Sequence, residues 1–320
     1  MPVYQNSVAL PRQELSDYAL EAAQSASQFI GLKLLPPFAS NLPTGHYPKV
    51  TIQAGGTLST SSKKREPGAN FAQITAQISD DSYTCIGDGF ETKIPDEVEK
   101  AYEDYFSVES LYSRIAMENK LRQHEGDVAA TIFDSGTFDA VNSTVAYTAA
   151  NKATMSIVDD IIAGIRRVKA RGEYPNTLVL SGSVYDRIRT STLLQSFIAG
   201  SVNPGAIVTP ETIANAFSSM GIKECLIGES YVNTAPLNAT PSLSPVWNNT
   251  YIFIGNVAGG ALQAGGVGRT FYWDKVSPSP FYIETYRKES EKSNVIRAYA
   301  YKTQKIVNAR AGTLITTQYS

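Results

Sequence analysis

The chain has 320 residues, with 28 basic and 30 acidic side chains and a formal charge of −2. That length exceeds one typical domain of about 100–200 residues and leaves room for one large or two intertwined units. A hydrophobic share of 42% against a charged share of 18% excludes global disorder, and the near balance of charge excludes a chain drawn onto nucleic acid by net cationic charge.

Residues 12–30 place Leu15, Tyr18, Ala19, Ala22, Ala26 and Phe29 in an amphipathic pattern, which predicts a short helix ended by Gly31 and the Pro36-Pro37 pair. An extended arm follows through Gly45. Between 47 and 90, the runs 50–52, 71–78 and 83–86 are rich in β-branched or aromatic residues and read as strands. The polar stretch 59–70 contains Lys63-Lys64-Arg65-Glu66-Pro67-Gly68, where Pro-Gly makes a turn and the charges are too costly to bury. A long hairpin projecting from the body is expected.

Ile94-Pro95-Asp96-Glu97 reads as a helix start, since proline at the first helical position loses no needed donor and the acids complement the helix dipole. The helical pattern continues to Phe133, with a break near Ser107 and a weak point at Gly126. After a polar linker over 135–152, a helix over 156–171 carries Ile157, Ile161, Ile165 and Val168 on one stripe, with Gly172 as its cap. Asp159 and Asp160 lie in its first turn, and Arg166, Arg167, Lys169 and Arg171 toward its end, matching the dipole at both ends. Thr177-Leu178-Val179-Leu180 reads as a buried strand, 184–194 as a helix, and 225–227 and 251–254 as further strands, so this part looks α/β. A Gly-rich stretch at 255–268 leads into β-rich segments at 269–273, 281–286, 295–307 and 311–315.

Candidate chemistry is sparse. Cys85 and Cys225 lack CxxC spacing, so neither a disulfide framework nor a zinc knuckle is expected, and reduced thiols in a cytosol fit. The N-terminus lacks the basic and apolar regions of a signal peptide, and no apolar run approaches the roughly 18 residues of a membrane span. Of the two histidines, His124 reads as a solvated residue on a helix and His46 as a partner in a structural hydrogen bond. The glycines of 255–268 form no phosphate-loop string, and Ser181-Gly182-Ser183 lacks the second glycine of a nucleophile elbow. No catalytic, cofactor-binding or metal residues are expected. Lys63, Lys64, Arg65 and Glu66 are instead expected at a solvated loop tip that meets a neighbouring subunit, and 18 tyrosines against 2 tryptophans suit partly polar contact surfaces.

The order of these elements resembles that of tailed-bacteriophage major capsid proteins of the HK97 type, over nearly the whole chain. Phe29-Ile30-Gly31-Leu32-Lys33-Leu34-Leu35-Pro36-Pro37 and Gly45-His46-Tyr47-Pro48-Lys49 look like the family's arm entering its first strands. The polar hairpin is similar to its extended E-loop, and the helix from Ile94 to its spine helix. Pro175 to Ser181 looks like the opening of the axial domain, and Arg269 to Trp273 with Ala311 to Ile315 like the return to the peripheral domain.

The resemblance implies an α+β chain divided into an N-terminal arm (1–46), an E-loop hairpin (47–93), a peripheral domain (94–150 and 266–320) and an α/β axial domain (151–265). It implies a shell subunit rather than an enzyme, forming hexamers and pentamers of an icosahedral head around packaged double-stranded DNA without binding it specifically. Heterologous ring contacts, extended by the hairpin and arm, would hold the shell. A separate scaffolding protein is expected because the chain begins almost at the arm. A portal protein is a further implied partner, and a decoration protein is left open. Location would be the virion, after assembly in the host cytoplasm, with no membrane. Some relatives crosslink through a hairpin lysine; the partner residues are not identifiable here, so no crosslink is expected. Two rival readings stand beside this one: an encapsulin-like compartment of the same fold, and a cytosolic α/β enzyme motivated by the strand-helix alternation of 153–230.

Overall fold

The computed structural model describes residues 10–24, 28–51, 66–68, 70, 77–200, 207–236, 239–262, 265–276 and 279–319. The described chain opens with β1 (Leu10–Pro11) and α1 (Gln13–Gln24), which buries Leu15 and Ala19. Gly31, expected to stop a helix, begins the short α2 (Gly31–Leu34) instead. The cause is long-range: the Glu125 carboxylate accepts the N–H groups of Ile30 and Gly31 at 3.0 and 2.7 Å, satisfying donors that a helix start leaves open.

The arm continues as β2 (Pro37–Ser40) into an antiparallel pair, β3 (Thr44–Thr51) and β4 (Gln77–Thr84), in register from Thr44 opposite Thr84 to Thr51 opposite Gln77. The pair extends over 44–49 and 79–82, which the sequence reading did not take as strand, while most of the expected strand at 71–78 and of the polar turn at 59–70 lies outside the described residues. Tyr47, Tyr83 and Cys85 pack around Phe271. β5 (Ile86–Pro95) then runs ten residues, where the sequence reading ended its strand at Ile86. Its glycines and charges mask the strand locally, and pairing with a long neighbour supplies what propensity does not.

The helical stretch after Ile94 is broken as expected. α3 (Asp96–Tyr102) is followed by α4 (Val108–Ile132), whose N-cap Ser107 accepts from the Ser110 N–H at 3.3 Å. α1 and α4 cover one face of a six-stranded sheet built from β12 (Gly268–Trp273), β13 (Tyr282–Lys288) and β14 (Ser293–Ile306) with β1, β2 and β5. Phe281, Ile283, Ile296, Ala298 and Ala300 meet Met117, Leu121 and Ala116 in the layer between.

A second, five-stranded sheet has the order β6 (Ala140–Asn142), β15 (Gly312–Thr316), β11 (Tyr251–Gly255), β7 (Thr177–Ser181), β8 (Glu224–Gly228). Its central strands are buried on both faces, which explains their continuous apolar runs. Leu178, Leu180, Ile252, Ile254 and Ile315 enter one core with α5 (Ile157–Ala170), α6 (Gly182–Ile188), α7 (Thr192–Ala199) and α8 (Pro210–Ala216). Val179, Phe253 and Leu314 enter the other, with the arm, the end of α4 and Trp247. β9 (Tyr231–Asn233) and β10 (Leu243–Pro245) form a separate small hairpin. Among the described residues no helix is long and apolar enough to cross a membrane.

Three details depart from the sequence reading. The helix expected over 184–194 splits into α6 and α7, because Ser181 caps the first by accepting from Val184 N–H and the chain re-enters a helix only after Ser191. The polar 135–152 linker is anchored: it contains β6, and its Tyr147 is fully buried. Gly312–Thr316, expected to return with 266–320 to the same unit as the long strand at 295–307, pairs instead with β11 and β6 in the other sheet. There Leu314 and Ile315 are buried on opposite faces of the sheet, one in each of its two cores.

Candidate assembly surfaces

α4 carries Lys120, His124 and Glu125 on its buried stripe, and each of these three has a partner on a different part of the chain. Glu125 accepts from Ile30 N–H, Gly31 N–H and, at 2.8 Å, the Trp247 indole N–H. Burial pushes its carboxyl up, and these three donors pull it partly back. One carboxylate therefore ties the arm, the long helix and the 247 loop together. One turn earlier, Lys120 is fully buried against Asp88 of β5, which also accepts from Gln123 at 2.7 Å. Lys302 of β14 reaches Asp127 at 2.9 Å.

His124 corrects the sequence reading. It is not a solvated residue but a buried one, its Nδ1 3.0 Å from the Gln304 amide and its ring edge-on to Phe281, with Nε2 unpaired among the described residues. Burial, then the nearby Lys302 and Lys120 cations, hold its pKa well below 6.5. A depressed histidine binds protons more readily in the unfolded chain, so stability is full above pH 6.5 and falls as the pH drops toward the folded-state pKa. Urea unfolding is expected to show a loss approaching about 1.4 kcal/mol per pH unit from this group between pH 6.5 and the lower folded-state pKa, and His124→Gln is expected to reduce that slope. Equal slopes in the two proteins would contradict the assignment.

The other sequence candidates have structural duties. Asp160, expected to serve the helix dipole, is buried and accepts from Thr144 N–H and Oγ1 (both 3.2 Å), Tyr147 OH (3.0 Å) and Ser156 Oγ (2.6 Å), so it fastens the linker to α5. Ser181 is the α6 cap. Cys85 and Cys225 are buried free thiols, pushed by burial up to about 11 and about 12. His46 is exposed on β3, opposite Ser82. Lys63, Lys64 and Arg65 lie outside the described residues. Glu66 is exposed beside a Pro67-Gly68 turn, with Gly68 at φ 88° as that turn requires.

What remains for recognition is surface. The elbow between α3 and α4 exposes Tyr102, Tyr105 and Phe106, with Tyr105 81% accessible. α7 presents Leu193 and Phe197, four residues apart on one side, and the β9–β10 hairpin presents Tyr231, Val232 and Leu243. The face of the six-stranded sheet opposite α4 carries a chain of edge-on aromatic contacts from Tyr282 through Tyr299 and Tyr301 to Trp273. Gly87 and Gly89 stand opposite Tyr301 and Tyr299 in β5, and a Cβ at Gly87 would come within 2.4 Å of the Tyr301 ring, so these glycines make room for the aromatic layer. Arg297 on the same face bridges Glu91 and Glu284, each at 2.7 Å. Surfaces of this kind are suited to association rather than to holding a small molecule.

Solved structures decide the fold. A phage-related protein from Bordetella bronchiseptica RB50 superposes with a TM-score of 0.68 and 19% identity, covering 97% of this chain and 98% of its own. The capsid of the cyanophage P-SCSP1u matches at TM-score 0.56 and 11% identity, over 90% of this chain and 86% of that one. This chain has the phage-capsid fold. The HK97-type arrangement expected from the sequence is consistent with that fold. A virus-like particle from Pyrococcus furiosus shares it too, at TM-score 0.59 and 8% identity over 95% of this chain and 98% of that one. No protein-family model and no curated protein matches the sequence.

Proposed function

We propose that the chain is a major capsid protein, the subunit that builds an icosahedral head shell from hexamers and pentamers around packaged double-stranded DNA. The observation that carries this reading is the fold shared with phage capsid structures over 90% of the chain and with a phage-related protein over 97%, in a molecule whose polar interior is spent on tying segments together. On this reading α4 is the spine helix. The six-stranded sheet is the core of the peripheral domain, the five-stranded sheet with α5 to α8 the core of the axial domain, and β3–β4 the base of the E-loop. Lys63, Lys64, Arg65 and Glu66 then sit at a loop tip that touches a neighbouring subunit. A scaffolding protein and a portal protein are the partners such a shell needs, and the virion is its destination.

The near-neutral charge suits a container wall that encloses DNA without gripping it. Sedimentation velocity on the purified chain, alone and co-expressed with a candidate scaffolding protein, tests the proposal. The expected result is a population far larger than any small oligomer. A single 34.7 kDa species under both conditions would contradict it.

A further inference from the structure

We propose that the aromatic elbow between α3 and α4 docks on the basic C-terminal face of α5 in a second copy of this chain. The inference rests on the shell-subunit reading and adds to it a specific contact. α4 has 25 residues, so its two ends lie about 37 Å apart at about 1.5 Å per residue. At its N-terminal end, Tyr102 stacks on Phe106 at 5.7 Å and Tyr105 stands free of the body. Around these rings Glu97, Glu103 and Asp104 are exposed and have no ion pair among the described residues. This is an unpartnered aromatic face with negative charge.

At the C-terminal end, α4 leads through 134–138 to Asp139, which is held by Arg171 at 2.6 Å and Arg167 at 3.6 Å of α5. Arg166 and Lys169, three residues apart on α5, are exposed there with no ion pair among the described residues. Tyr174, 74% accessible, follows directly after the helix. The two ends are thus opposite in charge, and both present exposed aromatic surface.

The long helix holds them apart, so they cannot meet within one chain. Their complement is another copy. An elbow on one surface meeting an α5 face on a different surface is a heterologous contact, the class that closes into rings or extends into a lattice. Rings supply apolar contact area, and the charge pairs fix register and discourage elbow-to-elbow approach.

Zero-length carbodiimide crosslinking of assembled protein, mixed from light and heavy nitrogen isotopes, tests the contact by mass spectrometry. Mixed-isotope links from Lys169 to Glu103 or Asp104 are the expected result. Charge reversal is the second arm. Arg166→Glu with Lys169→Glu, or Glu103→Lys with Asp104→Lys, is expected to slow assembly by about tenfold or more, and all four together to restore it. Circular dichroism melts of the variants, expected to match wild type at these exposed positions, separate this effect from misfolding. Shells that form without the Lys169 links, and at wild-type rate in both reversed variants, would overturn the contact while leaving the shell reading intact. Reversals at Arg166 and Lys169 that spare the shell but strip bound nucleic acid would overturn it in favour of a polyanion site. A wild-type chain that never assembles would overturn both.

Discussion

Glu125→Ala is expected to lower the unfolding free energy by about 3–5 kcal/mol, among the largest effects of any single polar substitution in this chain. The wild-type carboxylate is buried and receives three N–H donors, from Ile30, Gly31 and Trp247. Alanine removes the acceptor and leaves the donors behind in a space that apolar groups enclose, so each contributes a desolvation cost of about 1–3 kcal/mol, partly relieved where water enters. The damage extends beyond α4, because the same carboxylate holds the start of α2 and the indole of the 247 loop. Glu125→Gln keeps one acceptor oxygen but points an NH2 group at an N–H donor, so a loss of about 1–3 kcal/mol is expected for it. Urea unfolding of the three proteins checks the order. A loss below about 1 kcal/mol for Glu125→Ala would show that the hub is not fastened as described.

Gly228→Ala is expected to cost about 3 kcal/mol, a large effect for the addition of one methyl group. A Cβ built at Gly228 would lie 2.2 Å from Cδ1 and 2.3 Å from Cγ of Trp247. The indole has little freedom to retreat, since it is fully buried, edge-on to Phe133 at 5.1 Å, and bonded through Nε1 to Glu125. The new methyl therefore either pushes the ring off the carboxylate or bends the end of β8. The expected signs are a lower urea midpoint and a red shift of the Trp247 emission. Trp247→Ala in the same chain removes Cγ and Cδ1, the atoms that the methyl meets, so the double variant is expected to be more stable than the sum of the two losses. Strict additivity, or a Gly228→Ala protein as stable as wild type, would contradict the close approach.

Both effects lie at a place that sequence reasoning missed, and the reason is physical. α5 was legible because its stripe of Ile157, Ile161, Ile165 and Val168 is purely apolar, and the strands at 177–181 and 251–255 because two-sided burial leaves an unbroken apolar run. The break at Ser107 was legible from local chemistry too. α4 differs because it buries Lys120, His124 and Glu125, whose partners Asp88, Gln304 and Trp247 are remote in sequence. A local reading sees a polar helix. The available signal was position: residues 117, 121, 124, 125 and 128 fall on one side of a helix, so polar members of that set share a stripe with Met117, Leu121 and Val128. β15 could not be assigned to its sheet from sequence, since two apolar residues fit any strand covered on both faces. The order of elements carried the likeness to the capsid fold, whereas the contact residues at the hairpin tip rested on charge alone.

A capsid subunit must build closed shells. Negative-stain electron microscopy of the purified protein, with and without a scaffold, tests it most directly. Closed particles or rings of five and six subunits are the expected result. A field of dispersed monomers under both conditions would contradict it.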